Sequence, residues 1–112
     1  MKFDELLRFV DIEDKRLNEY YDGYPDQEKR ILARTVKLNE EVGELCDELL
    51  GYLSLQRDDK LDKREEENLA EEFADVILTT LLIAKSAGVD VKKALKEKID
   101  KINGRYEQDR KL

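Results

Sequence analysis

The sequence contains no histidine and no tryptophan, and it has only one cysteine and one proline. The missing histidine excludes catalysis by histidine, zinc sites with histidine ligands and di-iron bundles of the Glu-x-x-His type. A single cysteine cannot form a disulfide within the chain, which favours a reducing compartment. One proline and five glycines are too few turn-forming residues for a many-stranded β-sandwich or barrel.

The sequence also lacks long apolar runs and an excess of basic charge. No stretch approaches the roughly 18 apolar residues of a membrane-spanning helix, and residues 1–5 are too acidic for a signal peptide. The 112 residues include 28 acidic and 21 basic side chains, a formal net charge of −7, which argues against binding to nucleic acid phosphates. We therefore expect a small cytoplasmic domain that binds neither nucleic acid nor a membrane.

Apolar spacing predicts four helices and no strand, and therefore an all-α fold. The expected helices cover about residues 3–21, 26–55, 62–87 and 90–109. Gly23 and Pro25 break the pattern after the first helix, Gly88 suits a left-handed C-cap, and Asp90 suits an N-cap. We assign residues 1–112 to one domain, with an N-terminal helix and loop in 1–25 and the core helices in 26–109.

Each predicted helix has an apolar stripe that we expect to be buried. In the second helix it consists of Ile31, Leu38, Val42, Leu45, Leu49 and Leu53, and in the fourth of Val91, Leu95, Ile99, Ile102 and Tyr106. The third helix is apolar almost all round over residues 76–84, so it must be covered on every side. We expect a four-helix chain that forms a helical bundle completed by homo-oligomerisation; the alternative is that the first helix closes the bundle alone.

An internal repeat carries acidic residues. Residues 38–45 and 69–76 share the pattern Leu-x-Glu-Glu-apolar-small-acid-apolar, 31 positions apart. With the first leucine of each segment at zero, Glu41 and Glu72 fall at about 300° on the helical wheel, and Glu44 and Asp75 at about 240°. Each helix therefore carries two carboxylates, one turn apart, at the same edge of its buried stripe.

Antiparallel packing of these helices would bring the four carboxylates together. Such a cluster is strongly repulsive unless a divalent cation lies between its members. Oxygen ligands without cysteine or histidine favour Mg²⁺ or Mn²⁺. The alternative is a solvated acidic face on each helix, with no metal.

The fourth helix places basic residues at the corresponding edge, namely Lys98, Lys101 and Arg105. Residues 91–112 hold eight basic and four acidic side chains, whereas residues 38–75 hold four basic and fourteen acidic ones. A polyphosphate with its metal ion suits both surfaces, and Lys37 is a further candidate for phosphate binding. The alternatives are salt bridges between the basic edge and the carboxylates, and a helical (i, i+4) pair of Lys37 with Glu41.

At these residues the sequence resembles the MazG-like nucleotide pyrophosphohydrolases, within the all-α NTP pyrophosphatase superfamily. The family's E-x-x-E helix corresponds to Glu41 and Glu44, and its E-x-x-D helix to Glu72 and Asp75. Residues 87–91 are similar to the family's turn into its last helix, and residues 98–106 to its basic C-terminal motif. The resemblance covers about residues 30–106.

The resemblance implies a Mg²⁺-dependent enzyme, with Mn²⁺ as a possible substitute, that converts a nucleoside triphosphate (NTP) or its deoxy form (dNTP) and water to a monophosphate and pyrophosphate. It also implies a homodimer or tetramer that clears surplus or noncanonical nucleotides. In this interpretation Glu41, Glu44, Glu72 and Asp75 hold the metal, with Glu41 or Glu44 also catalytic, and Lys37, Lys98, Lys101 and Arg105 bind phosphate. Asn103 and Tyr106 would contact the base or sugar. The rival hypothesis is a non-catalytic helical dimerisation or regulatory module with a structural acidic cluster.

Overall fold

The computed structural model describes residues 1–20, 26–57 and 63–110, which form four α-helices. These are α1 (Phe3–Tyr20), α2 (Gln27–Arg57), α3 (Lys63–Ser86) and α4 (Val91–Arg110). No strand occurs in these three ranges, so the predicted all-α class is confirmed. The helix ends lie within two residues of the predicted ones. The predicted break at residues 22–25 and the start of the third helix at Asp62 lie outside the described residues.

The start of α2, the end of α3 and the start of α4 follow from local sequence. Asp26 Oδ1 accepts a hydrogen bond from Lys29 N at 2.8 Å, and Asp90 Oδ1 accepts one from Lys93 N at 3.1 Å. Gly88 has a φ of +70°, which costs little without a Cβ atom. The Val89 N–H then reaches the Ala84 carbonyl at 3.0 Å, closing a Schellman motif. The caps predicted at Gly88 and Asp90 are therefore confirmed.

Helices α2 and α3 form an antiparallel hairpin, and α1 packs against α3. At one end of the hairpin, Gln27 Nε2 donates to the Ser86 carbonyl at 2.8 Å. Lys85 Nζ lies 3.1 Å from Asp11 Oδ1 and ties α3 to α1. Arg34 of α2 joins all three helices, because its Nη1 donates to Asp14 Oδ1 at 2.6 Å, to the Leu82 carbonyl at 3.1 Å and to Ser86 Oγ.

The apolar core of a single chain is small. Among the described residues, only Val10 and Leu81 are buried apolar side chains. The prediction that Val42 and Leu53 belong to a buried stripe is wrong, since both are exposed. They lie on faces of α2 that neither α1 nor α3 covers.

Helix α4 has almost no packing against the other three helices. Lys92 Nζ lies 2.9 Å from Asp4 Oδ1 and joins its first turn to α1. The predicted burial of its stripe is wrong for a single chain, because Leu95, Ile99, Ile102 and Tyr106 are all exposed. The bundle within one chain is therefore made by α1, α2 and α3. The radius of gyration is 18.0 Å, against about 13 Å for a compact domain of this length.

None of the helices in the described ranges combines the length and the apolar character needed to cross a membrane.

Candidate functional site

Three of the four predicted carboxylates meet at the α2–α3 contact. Glu41, Glu72 and Asp75 each offer one carboxylate oxygen, and these oxygens all lie within 4.8 Å of one another. The arrangement follows from the antiparallel hairpin, which sets Glu41 of α2 against one turn of α3 that carries the other two. Oxygens at this separation are near enough to share one cation.

Two of these carboxylates each have one buried oxygen without a partner. Glu41 is only 6% exposed, and its Oε2 atom is buried with no hydrogen-bond partner, as is Oε2 of Glu72. A buried charged oxygen without a partner is costly. The donor set consists of carboxylates, and it fits a hard divalent cation such as Mg²⁺ or Mn²⁺, which would supply the missing partner.

The electrostatics of Glu72 reflect this crowding. Burial raises the pKa of the Glu72 carboxyl above its ordinary value of 4.5, and the negative charges of Glu44, Asp75, Glu41 and Glu48 raise that pKa further. The folded chain therefore disfavours the ionised form of Glu72 in the absence of a cation.

Glu44 lies at the rim of the cluster. It is exposed and is not one of the three residues whose oxygens converge. Its charge nevertheless contributes to the raised pKa of Glu72, so the two carboxyl groups are close. Its predicted role as a ligand or a base stays a prediction.

Lys37 is one helical turn from Glu41 and forms an ion pair with it. Its Nζ atom lies 3.0 Å from Glu41 Oε1. The hydrogen bond to Glu41 and the charge of that carboxylate raise the pKa of Lys37. The helical pair of Lys37 with Glu41, the alternative to phosphate binding, is therefore formed. Lys37 itself remains exposed at the edge of the acidic cluster.

The predicted phosphate and nucleoside contacts on the last helix do not meet the acidic cluster within one chain. All of them are exposed side chains of α4: Lys98, Lys101, Asn103, Arg105 and Tyr106. In the part of the chain that the structure describes, no ion pair joins α4 to Glu41, Glu44, Glu72 or Asp75. The salt-bridge alternative for this edge is not formed within one chain.

A cavity of about 340 Å³ lies between α1, α2 and α3, one helical turn from the acidic cluster. Its lining includes the basic residues Arg30, Arg34 and Lys37, together with Leu17, Asn18, Ala33, Thr79 and Leu82. Sequence reasoning missed Asn18, Arg30 and Arg34. The sequence does contain a signal for the two arginines. Basic residues recur at positions 30, 34 and 37, which is the spacing of one helix face, and this series leads along α2 towards Glu41.

Comparison with known proteins gives one match. The family model of the MazG nucleotide pyrophosphohydrolase domain matches residues 30–109. No curated protein sequence and no solved structure matches the chain. The matched region includes both carboxylate motifs and the basic edge of α4, and it covers well over half of the chain. The resemblance inferred from the motifs is confirmed, and the chain belongs to the MazG nucleotide pyrophosphohydrolase family.

Proposed function

We propose that the chain is a cytoplasmic, Mg²⁺-dependent pyrophosphohydrolase that converts an NTP or dNTP to the monophosphate and pyrophosphate. In this role it would clear surplus or noncanonical nucleotides. The observation that carries the proposal is the convergence of Glu41, Glu72 and Asp75, two of them with an unpartnered buried oxygen, in a chain of this family.

In the proposed reaction the cation and the protein side chains have separate roles. A Mg²⁺ ion, when bound, neutralises phosphate oxygens and lowers the pKa of a water molecule. Glu41, Glu72 and Asp75 hold that ion. Glu44 is exposed beside the cluster, so it can orient the attacking water or accept its proton; Glu41 is the other candidate for this role.

The surroundings of the cluster suit the rest of a nucleotide. Lys37 lies between the carboxylates and the 340 Å³ cavity, where its ammonium group can bind a phosphate oxygen. The cavity has apolar walls from Leu17 and Leu82 and an amide from Asn18, which suits a nucleoside. The direct test is a panel of NTPs and dNTPs assayed for pyrophosphate with and without Mg²⁺. If a folded, metal-binding protein releases no pyrophosphate from any of them, the non-catalytic module is favoured instead.

Replacing Glu72 by glutamine should stabilise the metal-free protein at neutral pH while abolishing metal binding. The raised pKa means that folding favours the neutral carboxyl, so the contribution of Glu72 to stability is complete below about pH 4.5 and is lost as the pH rises through the folded-state pKa. Thermal melts of Glu72→Gln should therefore show a higher melting temperature than wild type without metal. Added Mg²⁺ should stabilise only the wild type.

Paramagnetic line broadening during a Mn²⁺ titration provides the direct binding measurement for this variant. The matched control is Glu71→Gln. Glu71 is the residue before Glu72 and is exposed, so this variant should bind Mn²⁺ as wild type does. Undiminished binding by Glu72→Gln would rule out the proposed metal centre.

We further propose that the chain works as a homodimer or tetramer. Val42, Phe73 and Ile77 are exposed apolar residues on the hairpin, and burial against a second hairpin would remove them from water. Sedimentation at micromolar concentration should give a multiple of 13.2 kDa. Ile77→Glu should give a folded protein of lower assembled mass, and Ile12→Glu on α1 should not. A well-folded wild-type monomer would contradict this proposal.

The basic edge of α4 should be needed for turnover. Arg105→Ala should reduce turnover by roughly 10- to 1000-fold, because the guanidinium would stabilise charge on the polyphosphate. The melting temperature should change little, since Arg105 is exposed. Lys93→Ala is the control, as Lys93 is exposed on another side of α4. Equal losses of stability and activity would instead indicate a structural role.

A further inference from the structure

The outer face of α2, opposite α3, carries a largely apolar stripe that none of the described residues covers. Its members recur at alternating steps of four and three residues, the spacing of a coiled-coil seam. They are Leu32, Val36, Asn39, Gly43, Cys46, Leu50 and Leu53, and all seven are exposed. The four large apolar members have between 53% and 66% of their surface exposed. We call this set the outer stripe.

The middle of the outer stripe is shallow. Apart from the adjoining residues and the backbone of α2 itself, no described atom lies within 4 Å of the position that a Cβ atom would take at Gly43, so packing against other helices does not require glycine there. Glycine is a poorer helix former than alanine. A glycine followed one turn later by Cys46 leaves a depression on the helix surface into which a large side chain from another helix fits.

Helix α4 carries a matching surface. Leu95, Ile99, Ile102 and Tyr106 follow the same four–three–four spacing and are exposed. Because α4 barely packs on its own chain, two seam-like surfaces are left without partners. Either could cover the other if the two belonged to different copies.

Charge favours α4, rather than a second α2, as the helix that covers the outer stripe. The net charge of −7 for the chain and +4 for residues 91–112 leave −11 for residues 1–90. Exposed carboxylates of Glu40 and Asp47 adjoin the outer stripe. Two α2 helices paired through this stripe would place these carboxylates against their own copies. Lys98 adjoins the stripe of α4 and would oppose them with positive charge.

We propose that α4 is an exchanged arm whose apolar stripe docks on the outer stripe of α2 in a second copy of this chain, with Lys98 on the side of Glu40 and Asp47. Reciprocal docking closes a two-fold dimer. This inference rests on the proposed assembly but not on the proposed catalysis.

The single cysteine of the chain provides the test, because Cys46 is exposed and lies in the outer stripe. Each test chain carries Cys46→Ser together with Leu95→Cys, Ile99→Cys or Ile102→Cys. It is mixed with tagged wild-type chain so that subunits exchange, and the mixture is then mildly oxidised. At least one of these three should form a disulfide-linked pair of unlike chains. Cys46→Ser with Glu97→Cys is the control and should not, because Glu97 lies on the opposite side of α4.

Three outcomes would overturn the proposal. Disulfide-linked dimers of wild type alone would show that α2 pairs with α2. Linkage of Cys46 to Ile102→Cys within one chain, in a variant that carries both, would show that α4 folds back. Equal or absent linkage for the three stripe positions and the Glu97→Cys control would show that α4 docks elsewhere.

Charge reversal provides a second readout that does not require cysteine chemistry. Lys98→Glu should weaken association by roughly 3- to 10-fold at low salt, and Glu40→Lys in the same chain should restore it. Weakening without restoration would place the lysine beside another surface and contradict the proposed docking. Both experiments are independent of hydrolysis. If the protein cross-links as expected but releases no pyrophosphate, the proposed docking stands and the proposed function is wrong.

Discussion

Glu41→Gln is expected to reduce Mg²⁺-dependent pyrophosphate release by about 100- to 1000-fold. The substitution keeps the size of the side chain, and the amide oxygen can still accept a hydrogen bond from Lys37 Nζ, which lies 3.0 Å from Glu41 Oε1. It removes the negative charge of the most buried carboxylate in the cluster. The loss should therefore reflect the metal centre rather than the fold. Steady-state release at saturating Mg²⁺ measures it.

The matched control for this variant is Glu40→Gln. Glu40 occupies the preceding position on α2, but it is exposed and outside the acidic cluster, so its substitution should leave turnover near the wild-type value. Similar activities for the two variants would mean that Glu41 does not serve the reaction. A Glu41→Gln variant that regained activity at higher Mg²⁺ would identify Glu41 as a ligand rather than as the base.

Arg34→Ala should lower the free energy of unfolding by about 3–5 kcal/mol, the largest loss of stability expected for any single substitution considered. Arg34 and Asp14 are nearly buried, with 11% and 16% of their side chains exposed, and their atoms Nη1 and Oδ1 lie 2.6 Å apart. Removing the guanidinium leaves the desolvated carboxylate of Asp14 without its counter-charge, and the Asn18 amide at 3.5 Å from Oδ2 remains as its hydrogen-bond partner. It also leaves the Leu82 carbonyl without its Arg34 hydrogen bond. Urea melts at one fixed protein concentration measure the change.

Lys29→Ala is the control for the stability experiment. Lys29 Nζ lies 3.8 Å from Asp26 Oδ2, and both side chains are more than half exposed, so its loss should cost less than about 1 kcal/mol. Arg34→Lys should fall between the two variants, since it keeps a charge but not the planar fork. Equal effects of Arg34→Ala and Lys29→Ala would mean that the three-helix junction contributes little.

The parts of the structure that the sequence predicted are those determined by local pattern. Helical spacing predicted four helices, and Gly88 and Asp90 predicted where α3 ends and α4 begins. The wheel positions of Glu41, Glu72 and Asp75 placed them at one edge, and the hairpin brings their oxygens together. Periodicity suffices here because each of these features depends on residues within one or two turns.

The parts that the sequence did not predict depend on contacts between distant segments. Arg34 was missed because Asp14 and Ser86 are 20 and 52 positions away from it. The exposure of Val42, Leu53 and the α4 stripe was missed for a related reason. An amphipathic pattern indicates that a face is to be covered, but it does not say which element, or which chain, covers it.

The Arg34 junction also has a consequence for where the folding unit begins. The family match starts at residue 30. Asp14, the anionic partner of Arg34, nevertheless belongs to α1, as does Val10, one of the two buried apolar residues among those described. A fragment cut at the family boundary would retain both acidic motifs and the whole basic edge. It would lose the counter-charge of a desolvated guanidinium and the helix that packs against α3. The matched region is therefore shorter than the packed three-helix unit, and the acidic motifs lie on helices that pack against a helix outside the match.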